Sequence, residues 1–310
     1  MRVLFWGTPD FALPSFRALI GEGFEVIGVV TQPDKPRGRS RTELVPPPVK
    51  VAALEEKLPA FQPETPKDEE FVELLRIMQP DVSVVVAYGH ILPKFIIDLP
   101  RLGTLNVHAS LLPKLRGAAP IQAAIREGYG ETGVTIMRMV PKLDAGPMLL
   151  RVATPLPDDE TYGELQQRLS EMGALALVEA LSLLAVGELR ETPQNDSEAT
   201  YASKLERDDT RIDWSREAVI VSRVVRAYDP RPGAVTTLRG AEVKLFGARV
   251  AGAGCAAPGE VLDIDGAGML VACGRGSVRV REVQPAGKRR LPVPDWARGR
   301  GVSVGDRFGA

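Results

Sequence analysis

Arg2-Val-Leu-Phe-Trp-Gly-Thr-Pro-Asp-Phe-Ala-Leu-Pro-Ser-Phe-Arg-Ala-Leu-Ile-Gly-Glu-Gly-Phe-Glu-Val-Ile-Gly-Val-Val-Thr31 reads as strand, helix, strand. Apolar Arg2 to Trp6 ends at Gly7-Thr-Pro-Asp10, a helix runs from about Asp10 to Gly21, and Phe24 to Thr31 is a second apolar strand. Two strands joined by a helix within ~30 residues form a βαβ unit, which implies parallel pairing and a right-handed crossover. The glycines do not follow G-x-G-x-x-G and no G-x-x-x-x-G-K-[ST] occurs, so neither a dinucleotide site nor a triphosphate loop is supported. An open, doubly wound, mostly parallel α/β sheet is therefore expected to begin the chain.

The 310 residues favour two domains. With 44% hydrophobic and 25% charged residues, the composition is that of a globular protein with a sizeable core, and no stretch reaches the ~18 apolar residues of a membrane span. No signal-peptide pattern precedes the first strand, so a cytoplasmic location is expected. The two cysteines, Cys255 and Cys273, are too few for a disulfide framework and form no Cys-x-x-Cys pair; no metal site is expected. The net charge of -1 hides an asymmetry: residues 1–210 hold 22 Lys/Arg against 30 Asp/Glu, and residues 211–310 hold 17 against 10. A basic tail on an acidic body suggests that the second domain meets an anionic partner, nucleic acid first among the candidates.

Outward from the first unit, Gln32 to Pro48 is a long connection with Lys35, Arg37, Arg39 and Arg41, whose cations would suit a phosphate backbone. Helices are expected at Val49–Glu56 and Lys67–Met78. Asp81 to Ala87 is a strand apolar enough to be covered on both faces, and it ends at Tyr88-Gly-His-Ile-Leu-Pro93. Another strand ends in Asn106-Val-His108, whose alternate residues share a face. A helix at Ala118–Glu127 and a strand at Thr132–Met139 follow, and Asp144 lies in the next turn. Only two histidines exist, His90 and His108. Asp144 is the natural carboxylate to orient the His108 ring, and amide, imidazole and carboxylate together suggest acyl transfer. A long helix is expected at Tyr162–Val186. The domains read as 1–188 for catalysis, 189–207 as a polar linker and 208–310 as a small β-rich unit of short strands.

Asn106-Val-His108, Ser110-Leu-Leu-Pro113, Arg116-Gly-Ala-Ala-Pro-Ile-Gln122, Glu131-Thr-Gly-Val-Thr-Ile-Met137 and Leu143-Asp144 resemble the formyltransferases that use 10-formyltetrahydrofolate. Gly7-Thr-Pro-Asp-Phe11, Thr31-Gln-Pro-Asp34, Val84 to Gly89, Ala202-x-Lys204 with Ile212-Asp-Trp214, and Gln284-Pro-Ala-Gly-Lys288 are similar to the branch of that family that acts on tRNA. The resemblance implies a Rossmann-like catalytic domain with a smaller C-terminal OB-like β-barrel. It implies Asn106, His108 and Asp144 as the catalytic set, and Ser110, Leu111, Leu112 and Pro113 as folate contacts, with main chain at Ile91 and Leu92 lining the pterin pocket. It also implies initiator methionyl-tRNA as partner, its acceptor end met by the loop of Lys35, Arg37, Arg39 and Arg41; by charge, the basic C-terminal cluster with Lys288, Arg289 and Arg290 would grip the tRNA backbone. The chain is taken as a monomer.

In such a transfer Asn106 would donate to the developing oxyanion, His108 would add a second donor, and Asp144 would orient the ring or accept the amine proton. Rival expectations are a formyltransferase for a nucleotide-sugar amine or for glycinamide ribonucleotide, or an RNA-binding protein without catalysis. The basic C-terminal extension argues against the glycinamide substrate.

Overall fold

The computed structural model describes residues 1–37, 43–252 and 256–309. Two compact units emerge: Met1–Gly117 with Thr132–Thr154 and Gln166–Tyr201, and Ala118–Glu131 with Pro155–Leu165 and Ala202–Ala310.

The first unit opens with β1 (Arg2–Gly7), α1 (Leu13–Gly21) and β2 (Glu25–Val30). β1 pairs in parallel with β2, as the opening stretch requires. Two short strands, β3 (Lys35–Arg37) and β4 (Glu43–Val45), pair antiparallel within the long basic connection. The backbone groups of a two-strand pair bond each other, which lets an apolar-poor segment carry short strands. Next come α2 (Pro48–Glu55), β5 (Ala60–Phe61) and α3 (Glu69–Met78). Asp68 caps α3 by accepting from the Phe71 N–H at 2.9 Å, and Glu69 and Glu70 favour its positive end.

β6 (Val82–Val86) is buried throughout, as expected of a central parallel strand covered on both faces. α4 (Lys94–Ile97) leads to β7 (Thr104–His108), β8 (Arg116–Gly117), α5 (Pro120–Glu127), β9 (Glu131–Arg138), β10 (Met148–Pro155) and α6 (Tyr162–Ala185). The main sheet runs β10-β9-β7-β6-β1-β2-β5. β1, β2, β6 and β7 are parallel, and β9 runs antiparallel to β7. Because β1 has β2 on one side and β6 on the other, the winding reverses there, and ligands in such sheets lie beyond the strands' carboxyl ends. Trp6, Phe71, Leu75, Val85, Tyr88 and Ile96 belong to one buried cluster on this sheet.

Gly173 on α6 sits where any side chain would meet Val107 of β7: a Cβ there would lie 2.8 Å from Val107 Cγ1. The helix thus lies close against the strand that carries Asn106 and His108.

β11 (Tyr201–Ala202) follows, and the second unit, to which α5 belongs, holds α7 (Ala218–Ala227), β12 (Ala234–Leu238), β13 (Ala241–Ala251), β14 (Val261–Asp265), β15 (Gly268–Ala272), β16 (Ser277–Pro285), β17 (Leu291–Pro292) and α8 (Val293–Arg298). Its six-stranded antiparallel sheet runs β12-β13-β16-β15-β14, with β17 on β16. No ladder among the described residues joins β12 directly to β14. Both edges instead bond the chain's end: Gly309 N–H to Thr237 O, Phe308 N–H to Gly259 O and Val261 N–H to Asp306 O. The expected barrel is not closed among the described residues; the antiparallel sheet surrounds a core that includes Trp214, Leu245, Val280 and Phe308.

Gly173→Leu forces a side chain into the α6–β7 contact. The overpacking is expected to cost about 1–3 kcal/mol, seen as a lower thermal midpoint. A midpoint at or above wild type would show that the helix does not ride so close.

Candidate active site

β7 presents Asn106 and His108 on one face, opposite Met137 and Thr135 of β9. The alternation predicted from sequence holds because the strand stays regular to its last residue. Asn106 is half-buried, and its amide has no hydrogen-bond partner among the described residues. His108 is 6% exposed.

The loop after His108 is built by its own polar groups. Ser110 Oγ donates to Lys114 O at 2.6 Å, Thr135 Oγ1 donates to Ser110 O at 2.7 Å, and the Leu112 N–H donates to Thr135 Oγ1 at 3.1 Å. The Leu115 N–H donates to Thr200 Oγ1 at 2.8 Å, and the Leu115 carbonyl stands 3.0 Å from His108 Nε2. A carbonyl only accepts, so Nε2 carries the proton. Nδ1 is then the ring nitrogen that remains, and Asp144 Oδ2 lies 3.8 Å from it. That gap is too long for a direct hydrogen bond and suits one bridging atom.

Asp144 sits at φ 45°, a left-handed backbone that side-chain-bearing residues seldom adopt. Its Oδ2 accepts from the Gly117 N–H at 2.8 Å. Two residues on, Gly146 is confined: a Cβ there would stand 1.8 Å from the Arg138 carbonyl oxygen. The Asp144 turn is therefore pressed onto the end of β9, where the Arg138 N–H donates to Pro147 O at 2.9 Å.

The other predicted residues fall into distinct settings. Ser110, Leu112 and Pro113 are buried, Leu111 is half-buried, and the Ser110 hydroxyl is engaged inside its loop. Leu92 is buried, whereas Ile91 is 81% exposed, an apolar side chain left in the open beyond β6. His90 is exposed, its ring 5.7 Å from that of Tyr88. Burial pushes the Tyr88 phenol up to about 12. Lys50 and Gln62 bond the Asp34 carboxylate of Thr31-Gln-Pro-Asp34 and hold it below the usual carboxylate range.

Lys35 is exposed on β3 and Arg37 lies on the same strand; Arg39 and Arg41, like Cys255, lie outside the described residues. Cys273 is buried, and burial raises its thiol to about 11.

In the second unit, Lys288 and Arg289 are exposed in the turn after β16, without an ion pair among the described residues. Arg290 differs. It pairs with Asp229 at 2.8 Å and with Glu282, and stacks over the Phe246 ring at 4.1 Å. Nearby, Arg249, Arg279, Arg281, Glu282, Pro292 and Pro294 line a cavity of about 540 Å³. Among the described residues no group of three or more His, Cys, Asp or Glu side chains could hold a metal.

Sequence reasoning missed the residues behind Asp144, above all Gln194, which donates to the carbonyls of Asp144 and Gly146. It lies in Thr192-Pro-Gln-Asn-Asp-Ser197, a stretch with only the composition of a linker.

Comparison with known proteins identifies the family. The family model described as formyl transferase matches residues 1–181, and that of the formyl transferase C-terminal domain matches residues 204–301. The chain is 47% identical over 310 residues to the methionyl-tRNA formyltransferase of Methylococcus capsulatus, covering all of both chains. It is 45% identical to that of Geobacter sulfurreducens, over all of this chain and 97% of the relative. Among solved structures, HypX from Aquifex aeolicus in complex with tetrahydrofolic acid aligns with a TM-score of 0.69 at 23% identity, over 97% of this chain and 47% of that one. WlaRD, a sugar 3N-formyl transferase, aligns with a TM-score of 0.68 at 15% identity, over 93% and 99%. These two likenesses concern the fold alone.

With only two histidines in the chain, nitrogen NMR can assign the His108 ring. In the neutral ring the Nε2–H tautomer is expected, and an Nδ1–H signal would contradict the Leu115 contact.

Proposed function

The chain belongs to the formyl transferase family through both of its matched regions, and on that premise we propose that it moves the formyl group of 10-formyltetrahydrofolate to the α-amino group of methionine on initiator methionyl-tRNA. The observation that carries this reading is the match, over the whole chain and at 45–47% identity, to relatives named for that activity. The product, N-formylmethionyl-tRNA, serves translation initiation. The sugar N-formyltransferase likeness, at 15% identity, concerns the fold alone.

The site suits such a transfer. The donor folate is a substrate that brings the formyl carbon. Along the 110–113 loop and the main chain of Ile91 and Leu92, this chain offers a rigid edge for it, and the open Ile91 side chain offers apolar surface for a flat ring. Asn106, whose amide nothing in the described chain engages, donates an N–H toward the formyl oxygen as the neutral amine attacks and negative charge gathers there. His108 cannot use Nε2, which Leu115 O holds, so Nδ1 is its working atom. Nδ1 and the Asp144 carboxylate together take the proton leaving the amine, through a bridging atom in the 3.8 Å gap. The carbon–nitrogen bond to the folate breaks as the new amide forms, and the departing folate nitrogen takes up a proton.

Residues 1–188 carry the transfer chemistry, residues 189–207 connect, and residues 208–310 meet the tRNA. Lys35, Arg37, Arg39 and Arg41 meet the acceptor end, and Lys288 and Arg289 meet phosphates. Arg290, held by Asp229 and Glu282, supports the turn that presents them. The enzyme acts as a cytoplasmic monomer; no helix among the described residues is long and apolar enough to cross a membrane.

Formyl transfer to charged initiator tRNA, with elongator methionyl-tRNA as control, tests the reading directly. Asn106→Ala is expected to lower kcat by about 10²–10³, as the loss of one oxyanion donor does elsewhere. His108→Ala and Asp144→Ala should also be severely impaired, and near-wild-type turnover in any one removes that residue from the set. Joint neutralisation of Lys288 and Arg289 should raise KM for the tRNA more than it lowers kcat and flatten its salt dependence. An unchanged KM would place the phosphates elsewhere.

A further inference from the structure

Asp144 is held in a backbone conformation that must be enforced by its neighbours, because a left-handed residue with a side chain is strained by about 1–3 kcal/mol. Gln194 encloses it. Its Nε2 donates to Asp144 O at 2.8 Å and to Gly146 O at 2.7 Å, so both amide hydrogens clamp the two sides of the turn. Its Oε1 accepts from Arg116 Nε at 3.0 Å and Nη2 at 2.8 Å. A guanidinium offers no acceptor, so the amide can face only this way round.

Arg116 is itself fully buried, and its Nη2 also bonds Asp196 Oδ1 at 2.8 Å. Its main-chain N–H donates to Thr200 O, and the next N–H, that of Gly117, is the donor on the Asp144 carboxylate. The circuit is closed: Arg116-Gly117 reaches the carboxylate directly and the Asp144 backbone through Gln194.

We propose that Gln194, backed by Arg116, is a positioning residue that fixes the Asp144 carboxylate against His108 Nδ1. The proposal rests on the formyl-transfer reading and extends it to a segment whose composition is that of a linker. Gln194 touches no reacting atom, and its direct route to the chemistry runs through the Asp144 turn.

That dependence makes a double-mutant cycle decisive. Gln194→Glu keeps the length and an acceptor for Arg116, but sets a carboxylate oxygen against two carbonyls. In the wild-type background kcat is expected to fall by up to about 10²-fold, the scale of a 1 Å misplacement, while KM for charged tRNA stays close to wild type. In the Asp144→Ala background the same change should leave the single-turnover rate within about 2-fold, because the group it positions is gone. A fall by the same factor in both backgrounds, or no fall in either, overturns the proposal. If Gln194→Glu does not fold, Gln194→Met, uncharged and of similar length, takes its place in the same cycle. An inactive wild-type enzyme would instead sink the formyl-transfer reading itself.

Discussion

One hydrogen bond joins the two halves of this site: the Gly117 N–H on Asp144 Oδ2, at 2.8 Å. It links the loop that leaves β7 to the turn that leaves β9, two segments 27 residues apart. That link, together with the Gln194 amide between Arg116 and the Asp144 turn, makes the site more than three scattered side chains. The charge-assisted bond is stronger than a neutral one, and the carboxylate it holds stands beside the His108 ring.

Around the link, the chain uses small and polar residues to remove freedom. Gly146 lets the Asp144 turn press against the Arg138 carbonyl, and Gly173 lets α6 press against Val107. Thr135, fully buried opposite His108, holds the 110–115 loop through both its hydroxyl proton and its oxygen. Such a site is pre-organised: groups that wait in place need no rearrangement when charge develops. Asn106 stands apart, its amide left free by the rest of the described chain.

The C-terminal unit follows a different economy of charge. Many of its cations already have partners: Arg290 on Asp229 and Glu282, Arg239 on Asp306, Arg279 on Asp265 and Arg249 on Asp159. A count of basic residues therefore overstates what an anion would meet. Lys288 and Arg289 carry more of the available field than their number suggests.

Much of this protein was legible in the order of its residues. The opening strand–helix–strand gave parallel pairing, the valine-rich run Val82–Val86 gave a central strand, and the alternation of Asn106 and His108 put both on one face. These are local rules of period and polarity, and they hold wherever the chain is regular. The short pair β3–β4 escaped them, being too brief for a period to show. What only the tertiary structure decided is which atoms meet: that Leu115 O takes His108 Nε2, that Arg290 pairs with Asp229 and Glu282, that Gln194 bonds the Asp144 turn from a stretch with the look of a linker. Each is a contact between residues that the backbone brings together from afar, and side-chain type alone does not say which partner a donor will find.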